Sequence, residues 1–238
     1  MYRGRRVQVI LPALNESGKI SRAVQRMPRD VVDDIVVVDD GSTDGTADEA
    51  RAAGAVVIQH DVNEGVGAAI RTGITRAQRE GVDLCGIMAG DDQDRPDEIV
   101  RLADAIIDDG CDFIQGSRYL PGGERVNQPG SRTLMTRSYS VLFSVCVGRR
   151  ITDATNGFKL FRTEITRGMN LDQRWLNRYE LEPYLLFTAI KMGLRVREVP
   201  VTKYYPQDRQ VGYTKMKAYR DWWGISRPIL LLALRLKR

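Results

Sequence analysis

The residues best suited to chemistry lie in an acidic loop at residues 88–96, which reads Met-Ala-Gly-Asp-Asp-Gln-Asp-Arg-Pro. The apolar residues 82–88 before it predict a buried strand, and residues 96–109 after it predict a helix. Carboxylates crowded at the end of a strand repel one another unless a cation neutralises them, and Mg²⁺ or Mn²⁺ leaves coordination positions open for substrate phosphates. A solvated acidic loop is the alternative. Because ligands of open α/β sheets bind beyond the carboxyl ends of the strands, the loop predicts a divalent-metal site.

Polar or glycine-rich loops also follow the other predicted strands of the first half. The β-branched run at residues 35–38 ends in Asp39 and Asp40. Asp44 or Thr43 can cap the next helix, which leaves the Asp39–Asp40 pair unexplained. The strands at residues 7–11 and 55–58 lead into similar loops at residues 12–17 and 63–73. This alternation of strands and helices predicts an α/β fold with a mostly parallel central sheet.

The composition is that of one soluble domain. The chain has 238 residues, of which 42% are apolar and 28% charged, enough for one well-filled α/β core. Its three cysteines, Cys85, Cys111 and Cys146, have no zinc-site spacing, which predicts buried thiols in a reducing, cytoplasmic compartment. No segment approaches the roughly 20 apolar residues of a membrane span, and the basic amino terminus is expected to be a first strand rather than a signal peptide.

The tail at residues 203–238 differs from the rest of the chain in charge. It has nine Lys or Arg residues and two acids, a net charge of +7, so residues 1–202 carry −2 of the total of +5. It also contains several tyrosines and two tryptophans and ends in a leucine-rich stretch. These features predict either a helix at a lipid interface, on a peripheral membrane surface, or a basic helix packed on the domain.

Seven motifs occur in order along nearly the whole chain. They are Leu11-Pro12-Ala13-Leu14-Asn15-Glu16, Val38-Asp39-Asp40-Gly41-Ser42-Thr43-Asp44-Gly45-Thr46, the glycine loop at residues 63–73, the acidic loop, Gly116-Ser117-Arg118-Tyr119, Asp153-Ala154-Thr155-Asn156-Gly157-Phe158-Lys159 and Glu198-Val199-Pro200-Val201. Together they resemble the motifs of family 2 glycosyltransferases, which have the GT-A (Rossmann-like) fold. The resemblance is greatest to the polyprenyl-phosphate, or dolichol-phosphate-type, sugar transferases.

The resemblance implies an inverting enzyme that moves a sugar from a UDP-, GDP- or dTDP-sugar to a polyprenyl phosphate. The catalytic domain is expected at residues 1–202, with a nucleotide-sugar half at 1–118 and an acceptor half at 119–202. The tail at 203–238 is then a C-terminal appendage with a mobile basic loop and an interfacial helix. The residues that match nucleotide-sugar contacts of the family are Pro12, Asn15, Glu16, Asp39, Asp40, Gly65, Gly67, Arg209 and Lys215.

The acidic loop departs from the pattern of the family. Members usually have Asp-x-Asp there, and alignment puts Ala89 at the first position and Asp91 at the second. The resemblance implies that Asp91 and Gln93 contact a Mg²⁺ or Mn²⁺ cofactor. Asp92 and Asp94 either compensate for the missing acid or are solvated.

The acceptor site of the resembled subfamily matches Arg118, Arg132 and Thr136. Residues four apart on a helix face the same side, so Arg132 and Thr136 can meet one phosphate. Two guanidinium groups and a hydroxyl suit a phosphate monoester dianion. The alternatives are a loop salt bridge for Arg118 and a solvated helix start for Arg132.

The nature of the acceptor decides whether the reaction needs a base. A phosphate monoester is largely ionised at neutral pH, whereas a sugar hydroxyl needs a general base. The single histidine, His60, lies in the nucleotide half. Asp153 and Glu180, with Glu182 near it, are the carboxylates that match the base of hydroxyl-accepting relatives, and helix capping or structural support is their alternative role. The lack of a histidine in the acceptor half favours a phosphate acceptor. The candidate catalytic residues are Asp91, Arg118, Asp153 and Glu180.

Two other functions are compatible with these motifs. One is a soluble family 2 enzyme that glycosylates a hydroxyl with Glu180 or Asp153 as base. The other is an inactive sugar-nucleotide-binding protein, because Ala89 replaces a motif acid. The enzyme motifs argue against nucleic acid as the partner of the basic tail. The expected location is the cytoplasm, on the cytoplasmic face of the membrane.

Overall fold

The computed structural model describes residues 1–205 and 218–234, with side chains of the second segment described from residue 224. Strands and helices alternate through the first half, as the sequence predicts. The strands are β1 (Val7–Ala13), β2 (Asp34–Asp39), β3 (Val56–Gln59), β4 (Leu84–Ile87), β5 (Phe113–Ser117), β6 (Glu124–Val126), β7 (Lys159–Arg162), β8 (Val196–Pro200) and β9 (Thr202–Tyr204). The helices are α1 (Ile20–Gln25), α2 (Thr46–Ala52), α3 (Val66–Arg79), α4 (Ile99–Ile107), α5 (Gly130–Val147), α6 (Leu181–Lys191) and α7 (Ala218–Ala233), and 3-10 helices cover Pro96–Glu98, Thr163–Gly168 and Arg174–Leu176.

Seven strands form the central sheet, in the order β3-β2-β1-β4-β7-β5-β8, and β6 pairs with β9 in a second, two-stranded sheet. In the central sheet β7 runs antiparallel to its neighbours β4 and β5, and the other pairs are parallel. The α/β fold with a mostly parallel sheet is therefore confirmed. The carboxyl ends of β1, β2, β4 and β5 meet at one edge, so the loops singled out in the sequence lie together.

The antiparallel strand β7 begins at this same edge. Its first residue, Lys159, lies opposite Ile87 at the end of β4 and opposite Gln115 in β5. The segment before Lys159 therefore enters the edge between the acidic loop that follows β4 and the residues that follow β5.

Two apolar layers cover the sheet because successive strand residues point to opposite faces. Ile10, Val36 and Val38 pack in one cluster with α3, α5, α6 and α7. Their neighbours in sequence pack in a second cluster, mainly with α1 and α4. The sheet is buried on both faces, which leaves its carboxyl edge open for ligands.

The described part of the tail packs on the domain. Ile225 and Ile229 of α7 are buried in the first cluster, and the Tyr139 hydroxyl of α5 donates a hydrogen bond of 3.3 Å to the Ile225 carbonyl. The expected boundary after residue 202 falls inside β9. No described helix has the length and apolar character needed to cross a bilayer.

Candidate active site

A cleft of ≈ 420 Å³ opens at the carboxyl edge of the sheet. A larger and shallower depression of ≈ 830 Å³ lies between α3 and residues 166–172, but it contains none of the predicted site residues. The predicted residues that line the cleft are Pro12, Glu16, Asp40, Gly65, Asp91, Gln93, Arg118 and Arg132, and other lining residues include Ala89, Asn156, Gly157, Glu182 and Lys203. Arg209 and Lys215 lie outside the described residues.

Asp40 holds the glycine loop at one end of the cleft. Its carboxylate accepts hydrogen bonds from the backbone N–H groups of Glu64 (3.0 Å) and Gly65 (2.8 Å) and contacts Nδ1 of His60 at 2.8 Å. Asp39 is buried outside the cleft lining, where it accepts hydrogen bonds from Ser42 N and Gln59 Nε2. The two acids predicted to act together therefore have different surroundings, and Asp40 faces the cleft.

The loops after β1 and β2 are joined by Asn15. Its Oδ1 accepts a hydrogen bond of 2.9 Å from Thr43 N, and its own N–H donates to the Ser42 hydroxyl at 2.8 Å. Asn15 has a positive φ of 50° and does not line the cleft. It fixes the loop that presents Pro12 and Glu16 to the cleft.

Gly65 and Gly67 allow another backbone segment to approach the start of α3. A Cβ atom added to Gly65 would lie 2.2 Å from the Asn177 carbonyl oxygen, and one added to Gly67 would lie 1.9 Å from the Leu176 carbonyl oxygen. Gly65 also has a φ of +109°, which favours glycine. Close packing against residues 176–178 therefore requires both glycines, and Gly65 in addition lines the cleft.

The acids of the loop after β4 point in different directions. Asp91 lines the cleft beside Gln93. Its Oδ1 accepts a hydrogen bond of 3.2 Å from the backbone N–H of Gln93. Burial raises the pKa of the Asp91 carboxyl, and the charge of Lys203 opposes that rise. Asp92 instead forms ion pairs with Arg22 (2.8 Å) and Arg26 on the protein surface.

Asp94 lies buried in an ion pair with Lys203, with Oδ2 2.9 Å from Nζ. Its Oδ1 atom has no hydrogen-bond partner in the described part of the chain. Burial lowers the pKa of Lys203, but the charges of Asp94 and Asp91 outweigh it, and the pKa lies above its usual value. Lys203 thus brings a buried positive charge beside the loop from which a motif acid is missing.

Arg118 and Asp153 form a buried, two-pronged ion pair beyond the end of β5. Nε and Nη2 of Arg118 donate hydrogen bonds of 2.7 and 2.8 Å to the two carboxylate oxygens. Arg118 also donates to the hydroxyls of Thr155 and Tyr205. Burial raises the pKa of Asp153, but the charge and hydrogen bonds of Arg118 outweigh it, so the pKa is lowered. Asp153 is therefore a poor base, since both of its oxygens are already occupied.

Tyr205 lies between the two arginines of the cleft. Its hydroxyl accepts a hydrogen bond from Arg118, and Cζ of Arg132 lies 5.2 Å from the centroid of its ring. Thr136 is not part of this arrangement, because its hydroxyl bonds to the Arg132 carbonyl at 2.9 Å and to the Tyr119 hydroxyl. The cleft thus brings together Arg118 and Arg132 but not Thr136.

The sequence model of glycosyl transferase family 2 matches residues 8–169, more than half of the chain. The chain belongs to glycosyl transferase family 2. It is 32% identical over 218 residues to the undecaprenyl-phosphate mannosyltransferase of Micrococcus luteus, with 89% of this chain and 87% of the relative covered. It is 34% identical over 218 residues to the polyprenol monophosphomannose synthase of Mycolicibacterium smegmatis, with 89% and 81% covered.

A solved structure agrees with the fold of this family 2 glycosyltransferase. Glucosyl-3-phosphoglycerate synthase from Mycobacterium tuberculosis, in complex with Mn²⁺, UDP and glucosyl-3-phosphoglycerate, superimposes with a TM-score of 0.70 at 19% identity. The match covers 99% of this chain and 82% of that chain. The fold is that of the GT-A glycosyltransferases.

The glutamates near the start of α6 in this family 2 glycosyltransferase have different positions. Glu182 lines the cleft, and its Oε1 lies 3.4 Å from Nζ of the buried Lys159. Glu180 does not line the cleft; its Oε1 lies 3.6 Å from the point where a Cβ on Gly224 of α7 would be. Of the two carboxylates, the structure brings Glu182 to the site.

Sequence reasoning missed Lys203 and Tyr205 as site residues of the glycosyltransferase because it assigned both to the tail. Tyr204 N donates to the Gln93 carbonyl at 2.8 Å, and Tyr205 N donates to the Val126 carbonyl at 2.9 Å. These bonds join β9 to the acidic loop and to β6. The available signal was spacing, since residues 203 and 205 of a strand point to the same side.

Proposed function

We propose that this protein is an inverting glycosyltransferase that moves a sugar from a nucleotide-sugar donor to a polyprenyl phosphate. The proposal rests on one observation. The cleft at the carboxyl edge of the sheet has acidic residues at one end and two arginines at the other. Asp40 and Asp91 line it on the side of β2 and β4, and Arg118 and Arg132 line it on the side of β5. The relatives named above, which act on undecaprenyl or polyprenol phosphates, support the same conclusion.

In this proposal the nucleoside lies at the ends of β1 and β2. Pro12, Glu16 and Asp40 line the cleft there, where the base and ribose of a UDP-, GDP- or dTDP-sugar would lie. Asp39 and Asn15 do not line the cleft, but their hydrogen bonds fix the turns that carry these residues. Gly65 adds a backbone surface without a side chain.

The residues present fit a divalent cation. Mg²⁺ in phosphate-transfer sites is held by one or two carboxylates together with substrate phosphates and water. Asp91 and Gln93 would hold Mg²⁺ or Mn²⁺, and the unpartnered oxygen of Asp94 adds buried negative charge to the same loop. Among the described residues, no group of three or more His, Cys, Asp or Glu side chains is placed so that it could hold a metal ion by itself. In this proposal the diphosphate supplies further ligands. A bound ion neutralises charge on the leaving diphosphate.

The other end of the cleft suits an acceptor that needs no base. A phosphate monoester is already ionised near neutral pH, so it needs positioning rather than deprotonation. Arg118 and Arg132 line this end of the cleft and would position it beside the anomeric carbon. Asp153 is occupied by Arg118, and the ring nitrogens of His60 contact Asp40 and Thr72. Direct attack by the phosphate oxygen, opposite the leaving diphosphate, inverts the anomeric centre.

A polyprenyl phosphate also requires contact with a membrane surface. Helix α5, whose first turn carries the cleft residue Arg132, has three strongly exposed apolar side chains, Leu134, Val141 and Val145, and the exposed Arg137. Together with the charge of +7 on residues 203–238, this face suits an anionic lipid surface. We therefore include peripheral attachment to the cytoplasmic face of the membrane in the proposal.

The test is a panel of UDP-, GDP- and dTDP-sugars, each with Mg²⁺ or Mn²⁺ and a short polyprenyl phosphate, with products read by mass spectrometry. The expected product is one glycosyl polyprenyl phosphate with inverted anomeric configuration. Transfer to a sugar hydroxyl but not to the lipid phosphate would support the hydroxyl-acceptor alternative. Binding of a sugar nucleotide without any turnover would support an inactive binding protein.

A further inference from the structure

The middle of the cleft has a polar wall that the proposed function does not use. Thr155, Asn156 and Gly157 line the cleft just before β7 begins at Lys159. Because β7 lies between β4 and β5, this segment lies between the acidic loop and Arg118. If the diphosphate is at the acidic loop and the acceptor phosphate at the arginines, the transferred sugar lies against this wall.

Asn156 offers this wall a buried hydrogen-bond donor. Its Oδ1 accepts the Phe158 backbone N–H at 3.2 Å, which fixes the orientation of the amide. Asn156 lines the cleft, and its Nδ2 atom is buried and has no hydrogen-bond partner within residues 1–205 and 218–234. A buried donor without a partner costs free energy, and an oxygen of a bound ligand would satisfy it.

Glu182, which also lines the cleft, offers an acceptor next to this wall. Its side chain is 22% exposed, and its Oε1 lies 3.4 Å from Nζ of Lys159, whose side chain is 1% exposed, so the buried ammonium holds the carboxylate in place. A Cβ on Gly157 would lie 3.0 Å from Glu182 Oε1. The glycine therefore leaves the carboxylate uncovered toward the cleft.

We propose that Glu182 and Asn156 recognise hydroxyl groups of the transferred sugar, with Lys159 as the residue that positions Glu182. The inference rests on the proposed function and names the part of the site that selects the donor. The carboxylate accepts hydrogen bonds from one or two sugar hydroxyls, and the amide donates to a sugar oxygen. The site therefore selects a hexose with free hydroxyls on this face over its deoxy analogues.

The first test uses Glu182→Gln and Asn156→Asp, with Glu164→Gln, an exposed glutamate on a 3-10 helix, as the matched control. Asn156→Asp keeps an acceptor for Phe158 but replaces the amide donor with a carboxylate, which also brings a negative charge. We expect each site variant to lower kcat/KM for the sugar nucleotide by about 10- to 100-fold, the range of hydrogen bonds to charged groups. The affinity for the nucleoside diphosphate alone, measured by calorimetry, should change less than about twofold. The control should change neither quantity.

The second test uses donors that lack one hydroxyl at a time. For the wild-type protein, kcat/KM should fall about 10-fold or more when one of these deoxy donors replaces the full donor. For Glu182→Gln, the same replacement should lower kcat/KM only slightly, because the interaction with that hydroxyl is already lost. Equal losses in both proteins for every deoxy donor would overturn the inference. So would a fall in nucleoside diphosphate affinity as large as the fall in kcat/KM, because the residues would then act on the nucleotide or on the fold.

The inference can be judged separately from the proposed function. If no sugar reaches polyprenyl phosphate, the proposed function fails. The affinity difference between the sugar nucleotide and the nucleoside diphosphate is then measured in place of kcat/KM. Its loss in Glu182→Gln supports sugar recognition, and an unchanged difference overturns it.

Discussion

At the scale of single residues, the acids of the loop after β4 show how neighbours in sequence separate in space. Asp91 faces the cleft, Asp92 pairs with two surface arginines, and Asp94 pairs with the buried Lys203. From the sequence alone, Asp92 and Asp94 were equally suited to compensate for the missing motif acid. The structure makes Asp92 the suitable control, because Asp94 is part of a buried pair.

Asp91→Asn should lower metal-dependent release of the nucleotide by about 100-fold or more, because the leaving diphosphate loses the cation that the carboxylate holds. Asp92→Asn, at the surface, should retain nearly full activity. Both rates are measured at saturating Mn²⁺ with thermal unfolding as the check on folding. An Asp91→Asn variant as active as the wild type would contradict the metal assignment.

Arg132→Ala should weaken transfer to polyprenyl phosphate by about 1.5–3 kcal/mol, the range for a lost hydrogen bond to a charged group. Donor binding and background hydrolysis of the sugar nucleotide should stay unchanged, since Arg132 is proposed to touch the acceptor. Arg150→Ala, an exposed arginine just after α5, is the control. Equal effects of the two substitutions on steady-state transfer would argue against an acceptor role.

At the scale of elements, the start of α3 depends on backbone contact. Gly67→Ala would put a Cβ 1.9 Å from the Leu176 carbonyl oxygen, whereas Gly130 at the start of α5 has nothing within 4 Å of an added Cβ. We expect Gly67→Ala to lower the free energy of unfolding by about 1–3 kcal/mol or more, as overpacking does. Gly130→Ala should leave it within about 1 kcal/mol. Chemical denaturation measures both. Equal free energies of unfolding for the two variants would show that residues 176–178 can move aside at little cost.

The first four strands were predictable because β-branched runs and polar turn residues are local signals. The second half was not, since the antiparallel direction of β7 and the pairing of β6 with β9 depend on contacts distant in sequence. The choice between Glu180 and Glu182 has the same cause. Glu180 is the N-cap residue of α6 and Glu182 lies in its first turn, and only the packing of α6 decides which one faces the cleft.

At the scale of the whole molecule, the exposed apolar face of α5 and the basic tail predict binding to lipid. The protein should co-sediment with anionic vesicles, and less so as salt screens the attraction. Leu134→Asp combined with Val141→Asp should reduce that binding, whereas Val62→Asp, at an exposed residue outside α5, should not. Undiminished sedimentation of the double variant would assign the attachment to another surface.

The strand β9 connects the two ends of the cleft in a way that matters for protein engineering. Lys203 is bonded to the acidic loop, and Tyr205, two residues later, contacts both arginines. One residue inserted between them would rotate one side chain to the opposite side of the strand. The spacing between these residues is therefore a fixed length in any chimera, and crossovers between homologous enzymes are safer before residue 196 than within 202–205.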